Sequence, residues 1–236
     1  SAGYDLIFAN ATASLQAASS ATADIPVVGT SITDYATALD IDEWTGTTGR
    51  NITGTSDLAP LAEQAAMFKE LLPDAKNIGL IYCSSEPNSK YQVDIVSEEL
   101  KALGYETAMY PFADSNDVSA VVTTACDTSD ALYIPTDNTA AANTEIIANI
   151  ANPAKIPVIA GEEGICKGCG IATLSISYKS IGEVAAQMAY EILVNGADPA
   201  AMEIKYAENL TKKYVASRAE NLEITIPEGY EELVIE

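Results

Sequence analysis

The sequence predicts an α/β protein built from two doubly wound parallel-sheet lobes joined by a hinge, and three observations carry that prediction. Short, continuously apolar runs alternate with amphipathic stretches almost from end to end, as expected where helices cover both faces of a parallel sheet. Within the amphipathic stretches, apolar residues recur three and four apart, the period of a helix. A segment rich in Thr, Gly and Ser, Thr45 to Asp57, interrupts the alternation and reads as a crossing from one lobe to the other.

Taken in order, the strand candidates are Leu6 to Ala9, Ile25 to Gly29, Ile78 to Tyr82, Glu106 to Tyr110, Ala131 to Ile134, Pro157 to Ala160 and Ile171 to Ser175. Helical spacing links Leu61, Ala65, Phe68 and Leu72, then Val93, Val96, Leu100 and Leu103. It is clearest from Ile181 through Val184, Ala185 and Met188 to Ile192 and Leu193. Strands joined through helices pair in parallel by right-handed crossovers. From Leu58 to about Ser175 the chain holds four or five strand-helix units, enough for a complete small doubly wound domain. Only two strands precede the crossing, too few for a stable sheet, so the first lobe is expected to borrow strands from later chain or to be incomplete. Because Tyr4 to Ala9 reads as a buried strand with almost no lead-in, a leader and further chain are expected upstream.

Composition narrows the function. The 236 residues carry 34 Asp and Glu against 12 Lys and Arg, a formal charge of −22, and no histidine. Without imidazole there is no Ser-His-Asp or Cys-His catalysis and no histidine metal site. An acidic surface with scattered cations repels phosphate backbones and anionic membranes, so no nucleic-acid partner is expected. The 48% hydrophobic content excludes wholesale disorder, and no run approaches the ~18 apolar residues of a membrane helix.

Ligands of doubly wound sheets bind outside the carboxyl ends of the strands, where loops enter helix N-termini. Those loops here are Asn10 to Ser14, Thr30 to Asp34, Cys83 to Ser89, Pro135 to Thr139 and Gly161 to Gly164, all but the last dense in Ser, Thr and Asn. Such residues are common helix caps, but several along one edge suggest a site. Helix N-termini with hydroxyls can hold a carboxylate without arginine, and these loops contain no arginine. Glu86, Asp137, Glu162 and Glu163 could complement an ammonium group. Together these features describe a zwitterion such as an α-amino acid. Tyr35, Trp44, Tyr82, Tyr110 and Tyr178 fall near strand ends or lobe crossings, where a flat ligand could stack, although core packing is the default for each. The candidate ligand-binding residues are Thr12, Ala13, Thr33, Ser85, Glu86, Asn88, Ser89, Thr136, Asp137, Asn138 and Glu163.

Cys166-Lys167-Gly168-Cys169 reads as a Gly-rich loop before a strand. With Cys83 and Cys126 in separate units, a four-thiolate zinc site is disfavoured; a loop-stapling disulfide or two free thiols are the better readings. No cofactor or metal is expected.

Five ordered segments carry a family resemblance: Asn51 to Asp57 (NITGTSD), Glu70 to Gly79 (ELLPDAKNIG), Glu86 to Ser89 (EPNS), Tyr133 to Asn138 (YIPTDN) and Lys155 to Ala160 (KIPVIA). Together they resemble the ABC-transporter substrate-binding proteins that include tryptophan- and tyrosine-binding members. The resemblance implies two α/β lobes of the type I periplasmic-binding-protein kind, enclosing a ligand. It places lobe 1 in residues 1–56 with 176–202 and lobe 2 in residues 57–175 with 203–236. By the same likeness Thr12 and Ala13 give first-lobe hydrogen bonds, Ser85, Asn88 and Ser89 receive a ligand carboxylate, and Thr136 and Asp137 complete the polar contacts, with Asp137 taking the ammonium. Family members usually begin with two further strand-helix units, which this sequence lacks.

The leading expectation is an extracytoplasmic receptor, periplasmic or a cell-surface lipoprotein, that gives an aromatic amino acid to a membrane permease. It is expected to be monomeric unless a partner chain completes lobe 1. A sensor domain of the same architecture ranks second, since no helix-turn-helix or membrane segment is present. An enzyme using Glu162 and Glu163 ranks third, because neighbours on an extended segment point to opposite faces.

Overall fold

The structure, a computed structural model, describes residues 3–235. The elements are β1 (Ile7–Asn10), α1 (Thr12–Ala21), β2 (Val27–Ile32), α2 (Tyr35–Leu39), β3 (Ile52–Ser56), α3 (Leu61–Leu71), β4 (Asn77–Cys83), α4 (Pro87–Ala102), β5 (Glu106–Phe112), α5 (Val118–Thr128) and β6 (Ala131–Ile134). There follow α6 (Asn138–Ala141), α7 (Thr144–Ala154), β7 (Val158–Ala160), α8 (Glu163–Cys169), β8 (Ala172–Ser175), α9 (Tyr178–Leu193), β9 (Lys205–Tyr206), β10 (Thr211–Tyr214), α10 (Ala216–Asn221) and β11 (Glu231–Glu232). No helix among the described residues is long and apolar enough to cross a membrane.

Two compact units result, one running to Leu58 and resuming over Ser177–Asn209, the other Ala59–Ile176 with the chain from Leu210 onward. The first crossing falls within two residues of its expected place. The chain returns to the first unit at Ser177 and leaves it for the last time after Asn209 rather than residue 202, because Lys205 and Tyr206 pair in parallel with Thr55 and Ser56 and so join the first sheet. Residues 52–56, read as part of the crossing, form β3: Thr53, Thr55 and Ser56 are small and β-compatible, and all five residues are buried.

The first unit is a four-stranded sheet in the order β1-β2-β3-β9, parallel throughout. Adjacent residues of a strand point to opposite faces. Thus Val27 packs with Leu15, Ala18 and Leu39 of α1 and α2, while Val28 packs with Ala185, Ala189 and Ile192 of α9. Each face is covered, which is why the strand reads apolar at both positions. A close approach joins β2 to β3 at Gly29 and Gly54, which face each other in register. Gly54 has φ 148°, and a Cβ there would run into the Gly29 carbonyl oxygen and the Tyr35 hydroxyl.

The second unit is a seven-stranded sheet in the order β11-β10-β8-β7-β6-β4-β5, with β10 antiparallel to β8. One core cluster joins Ile81, Leu132, Ile134 and Val158 of the strands to Val118, Val122, Ile147 and Ile165 of α5, α7 and α8. The Cys166 to Cys169 segment is helical, contrary to the loop reading. Two caps override its glycines. Glu162 accepts the Gly164 and Ile165 N–H groups at the start. At the end, Arg218 donates to the carbonyls of Cys166 (2.9 Å), Gly170 (3.0 Å), Lys167 (2.8 Å) and Gly168 (2.6 Å). Cys166 and Cys169 are buried free thiols; burial pushes both up, Cys169 to about 12, so neither is a reactive thiolate.

Two glycines separate backbone constraint from propensity. Gly54→Ala is expected to lower stability by at least ~2 kcal/mol, through overpacking at an unfavourable φ. Gly182→Ala, on the exposed face of α9 with open space around it, is expected to raise it by roughly 0.5–1 kcal/mol. Chemical denaturation of both variants measures the difference.

Candidate functional site

In each unit the strands' carboxyl ends lead into helix N-termini, and what satisfies those N–H groups differs from loop to loop. In the first unit, α2 is closed by its own cap: the Asp34 carboxylate accepts the Thr37 N–H at 2.7 Å. Helix α1 has no side-chain cap. Leu15 is the first of its residues to bond back, to the Ala11 carbonyl, so the N–H groups of Thr12, Ala13 and Ser14 point out of the helix start. Ala11 holds φ 68° and ψ 160°, a region nearly restricted to glycine, and its N–H is tied to the Thr30 carbonyl at 3.1 Å. Thr12 is buried and Ala13 exposed. Thr33 is buried, and its carbonyl accepts the Ser56 hydroxyl at 2.9 Å.

In the second unit the loops after β4 and β6 are fastened together. Asp137, expected to meet a ligand ammonium, is 1% exposed. Its Oδ1 accepts the Ala140 N–H at 2.7 Å and its Oδ2 the Cys83 N–H at 2.6 Å, and Ser89 also bonds to the carboxylate. Both oxygens thus already accept hydrogen bonds from groups of the same unit. Burial, then the charge of Glu86, push its carboxyl up against those hydrogen bonds. Glu86 is similarly committed, to Asn138 N–H (3.0 Å) and Nδ2 (2.8 Å) and to Thr139 N–H (2.9 Å) and hydroxyl (2.7 Å). Burial raises its pKa, but the Thr139 and Asn138 bonds outweigh burial and hold it below the usual carboxylate range.

Asn88 is buried, its Nδ2 donating to the Thr136 carbonyl at 3.2 Å. Thr136 is also gripped by Gln92, which donates to its carbonyl at 3.0 Å and accepts its N–H at 3.1 Å. Ser89 is fully buried, whereas Ser84 and Ser85 are exposed. Helix α4 has no side-chain cap; Ser89 and Lys90 bond back to the Glu86 carbonyl, leaving the Asn88 N–H without a bond back into the helix, while the Ser84 and Ser85 hydroxyls donate to the Phe112 and Ala113 carbonyls at 3.2 and 3.4 Å.

Glu163 does not belong with these residues. It accepts from Lys213 (2.8 Å), Ser175 (2.9 Å) and Lys167 (3.1 Å), tying α8 to β8 and β10. Burial would raise its pKa, but the Lys213, Lys167 and Ser175 contacts hold it at about 2. Glu162 is the α8 cap, raised chiefly by burial.

Ser85, Glu86, Asn88, Ser89, Thr136, Asp137 and Asn138 are therefore brought together within the second unit, and Thr12 and Ala13 form the open start of α1 in the first. Sequence reasoning missed Gln92 and Ala11. Gln92 was detectable, as a polar residue one turn after Asn88 on the face that carries Val93 and Val96. Ala11 was not, because nothing in the sequence signals a glycine-like conformation at an alanine. Of the aromatic candidates, Tyr35 and Tyr82 are core residues, and Tyr178 bonds to Asp57 at 3.3 Å. A groove of about 760 Å³ in the first unit, lined by Ile181, Val184, Met188, Met202 and Tyr206 among others, contains none of the candidate residues. Among the described residues no three His, Cys, Asp or Glu are placed to hold a metal.

Two α/β units with polar helix starts at their strand ends give the chain a fold of the type I periplasmic-binding-protein kind. The chain belongs to the ABC transporter substrate-binding protein family, which it matches over residues 1–233. It is 38% identical over 189 residues to a tyrosine-binding protein of Clostridioides difficile, covering 80% of this chain; it spans only 54% of that relative's length. Among solved structures, it is similar to an ABC domain in complex with L-Trp from Streptococcus pneumonia, at 29% identity and TM-score 0.93, covering 99% of this chain and 82% of the other. It is also similar to the ligand-free, open structure of the substrate-binding protein CD0873 from Clostridium difficile, described as having adhesive properties. That match has 33% identity and TM-score 0.74, covering 98% and 79% of the two chains.

The Glu163 cluster predicts a pH signature. Its folded pKa lies below the ordinary value of 4.5, so its contribution is complete above about pH 4.5 and disappears as pH falls toward about 2. Glu163→Gln is expected to cost about 1 kcal/mol at pH 7, after allowance for solvent screening. The difference from the unaltered protein should vanish near pH 2 in thermal unfolding followed by circular dichroism.

Proposed function

We propose that this chain is the ligand-binding part of an extracytoplasmic receptor that takes an aromatic α-amino acid, tyrosine or tryptophan, and delivers it to the permease of an ABC importer. The observation that carries this reading is the division among helix starts. Those of α2, α6 and α8 are closed by the carboxylates Asp34, Asp137 and Glu162, and a closed, negatively charged helix start rejects an anionic ligand. Those of α1 and α4 have no side-chain cap, as is true also of α3, α5, α7 and α10; α1 and α4 are set apart by the candidate residues they carry, Thr12 at α1 and Ser85 and Asn88 at α4. Their outward N–H groups and helix dipoles suit a single carboxylate. The family, the tyrosine-binding relative and the tryptophan complex support an amino acid as the ligand.

An uptake role follows the family, whose members hand a bound solute to a membrane partner. A receptor of this kind needs no chemistry, which agrees with a chain lacking histidine. The ligand ammonium is received by hydroxyl and carbonyl oxygens of the loops rather than by a spare carboxylate, since Glu86 and Asp137 are committed within their unit.

Isothermal titration calorimetry on the full-length protein should detect binding of L-tyrosine or L-tryptophan. Tyramine and tryptamine, which lack the carboxylate, should bind about a hundredfold more weakly, because charge-assisted bonds to backbone N–H groups contribute most to holding that group. Ser85→Ala should weaken amino-acid binding by about fivefold. Absence of binding by every common amino acid would overturn the reading, and capture of a signalling protein instead of a permease would reassign the role.

A further inference from the structure

We propose that Glu86 and Asp137 are reciprocal positioning residues: each carboxylate stands before one helix and satisfies the loop of the other, and the exchange shapes the α4 start that receives the ligand carboxylate. The inference rests on the binding role proposed above and specifies how the site is built.

The geometry is crossed. Glu86 directly precedes α4 yet leaves that helix uncapped. Its carboxylate reaches the first two residues of α6 instead, accepting both their N–H groups and both their side chains. Asp137 directly precedes α6 and caps it through Oδ1, while Oδ2 reaches back to the Cys83 N–H at the head of the β4 to α4 loop. The same carboxylate bonds to Ser89 in the first turn of α4. Asn88 and Gln92 add three more bonds from α4 to the Thr136 backbone. The two loops therefore cannot shift independently.

Two consequences follow for binding. The short helix α6 has its exposed N–H groups consumed by Glu86, so a ligand carboxylate has no competing seat there. Helix α4 meanwhile keeps its dipole and its Asn88 N–H, at the end of a loop anchored by Asp137 at Cys83 and by the Ser84 and Ser85 hydroxyls on the Phe112 and Ala113 carbonyls. A buried negative charge beside a half-buried one would be costly alone; here each is compensated by a helix N-terminus and by hydrogen-bond donors, five on Glu86 and three on Asp137. Loop rigidity of this kind improves affinity by removing the ordering cost on binding.

The test separates positioning from direct ligand contact. In hydrogen exchange of the ligand-free, full-length protein, Glu86→Gln should speed exchange at Asn138 and Thr139, and Asp137→Asn at Cys83, with the β7 amides unchanged. If either variant folds poorly, Thr139→Val, which removes one donor to Glu86 and no charge, should give the Glu86 pattern in weaker form. In calorimetry, Glu86→Gln should reduce the preference for tyrosine over tyramine by about tenfold while tyramine binds as before. The preference for tyrosine over 3-(4-hydroxyphenyl)propionate, which lacks the ammonium, should stay constant. Unchanged exchange at Asn138, Thr139 and Cys83 overturns the proposal. So does a variant that loses the ammonium preference and keeps the carboxylate preference, since Glu86 or Asp137 would then touch the ligand directly. If the unaltered protein binds no amino acid, the functional reading fails and the exchange pattern alone decides whether the two loops are clasped.

Discussion

Every helix that follows a strand presents N–H groups its own carbonyls cannot satisfy, and the way each set is satisfied organises this molecule. Where a carboxylate is close in sequence or in space the helix start is closed, as at α2, α6 and α8. At α1 and α4 no side chain caps the start, at α4 because the adjacent Glu86 carboxylate is turned to α6 instead. A closed start becomes scaffold, because its dipole is already neutralised; an open start keeps a partial positive charge of use to an anionic ligand.

The acidity of the chain takes on a different meaning in that light. Taken as a total, a charge of −22 says only that polyanions are repelled. Placed in the fold, several carboxylates are structural: Asp34, Asp137 and Glu162 cap helices, Glu86 clasps a second loop, and Glu163 joins α8 to β8 and β10 through two lysines and a serine. None of these is a free acid awaiting a substrate proton. The glutamates first considered as a catalytic pair, Glu162 and Glu163, have opposite pKa shifts, for the reason that one lies buried against a helix start and the other lies among lysines.

Strain is concentrated at the same edge. Ala11 adopts a backbone conformation that costs an alanine about 1–3 kcal/mol, and it is held there by the Thr30 carbonyl next door. The conformation turns the start of α1 outward. The opposite device appears at Gly29 and Gly54, where the absence of a Cβ permits two strands and the Tyr35 hydroxyl to meet closely. One position bears strain and the other avoids it, and both shape the strand ends of the first unit.

The sequence by itself determined the α/β class, the strands β1, β2 and β4 to β8, and the clearest helices, because burial on both sheet faces leaves continuous apolar runs and a helical period. It also determined the loops that carry the candidate residues. The pairing of β9 with β3 was decided only by tertiary structure, since a two-residue edge strand has no apolar pattern to announce it. The helix of Cys166 to Cys169 was too: Arg218, some fifty residues later, supplies the carbonyl cap that its glycines lack. So were the tasks of Glu86, Asp137 and Glu163, whose composition and position suggested ligand contacts. Local sequence fixes which groups lie on an edge, but a carboxylate acts on whichever donor is nearest in space, and those donors come from another part of the chain.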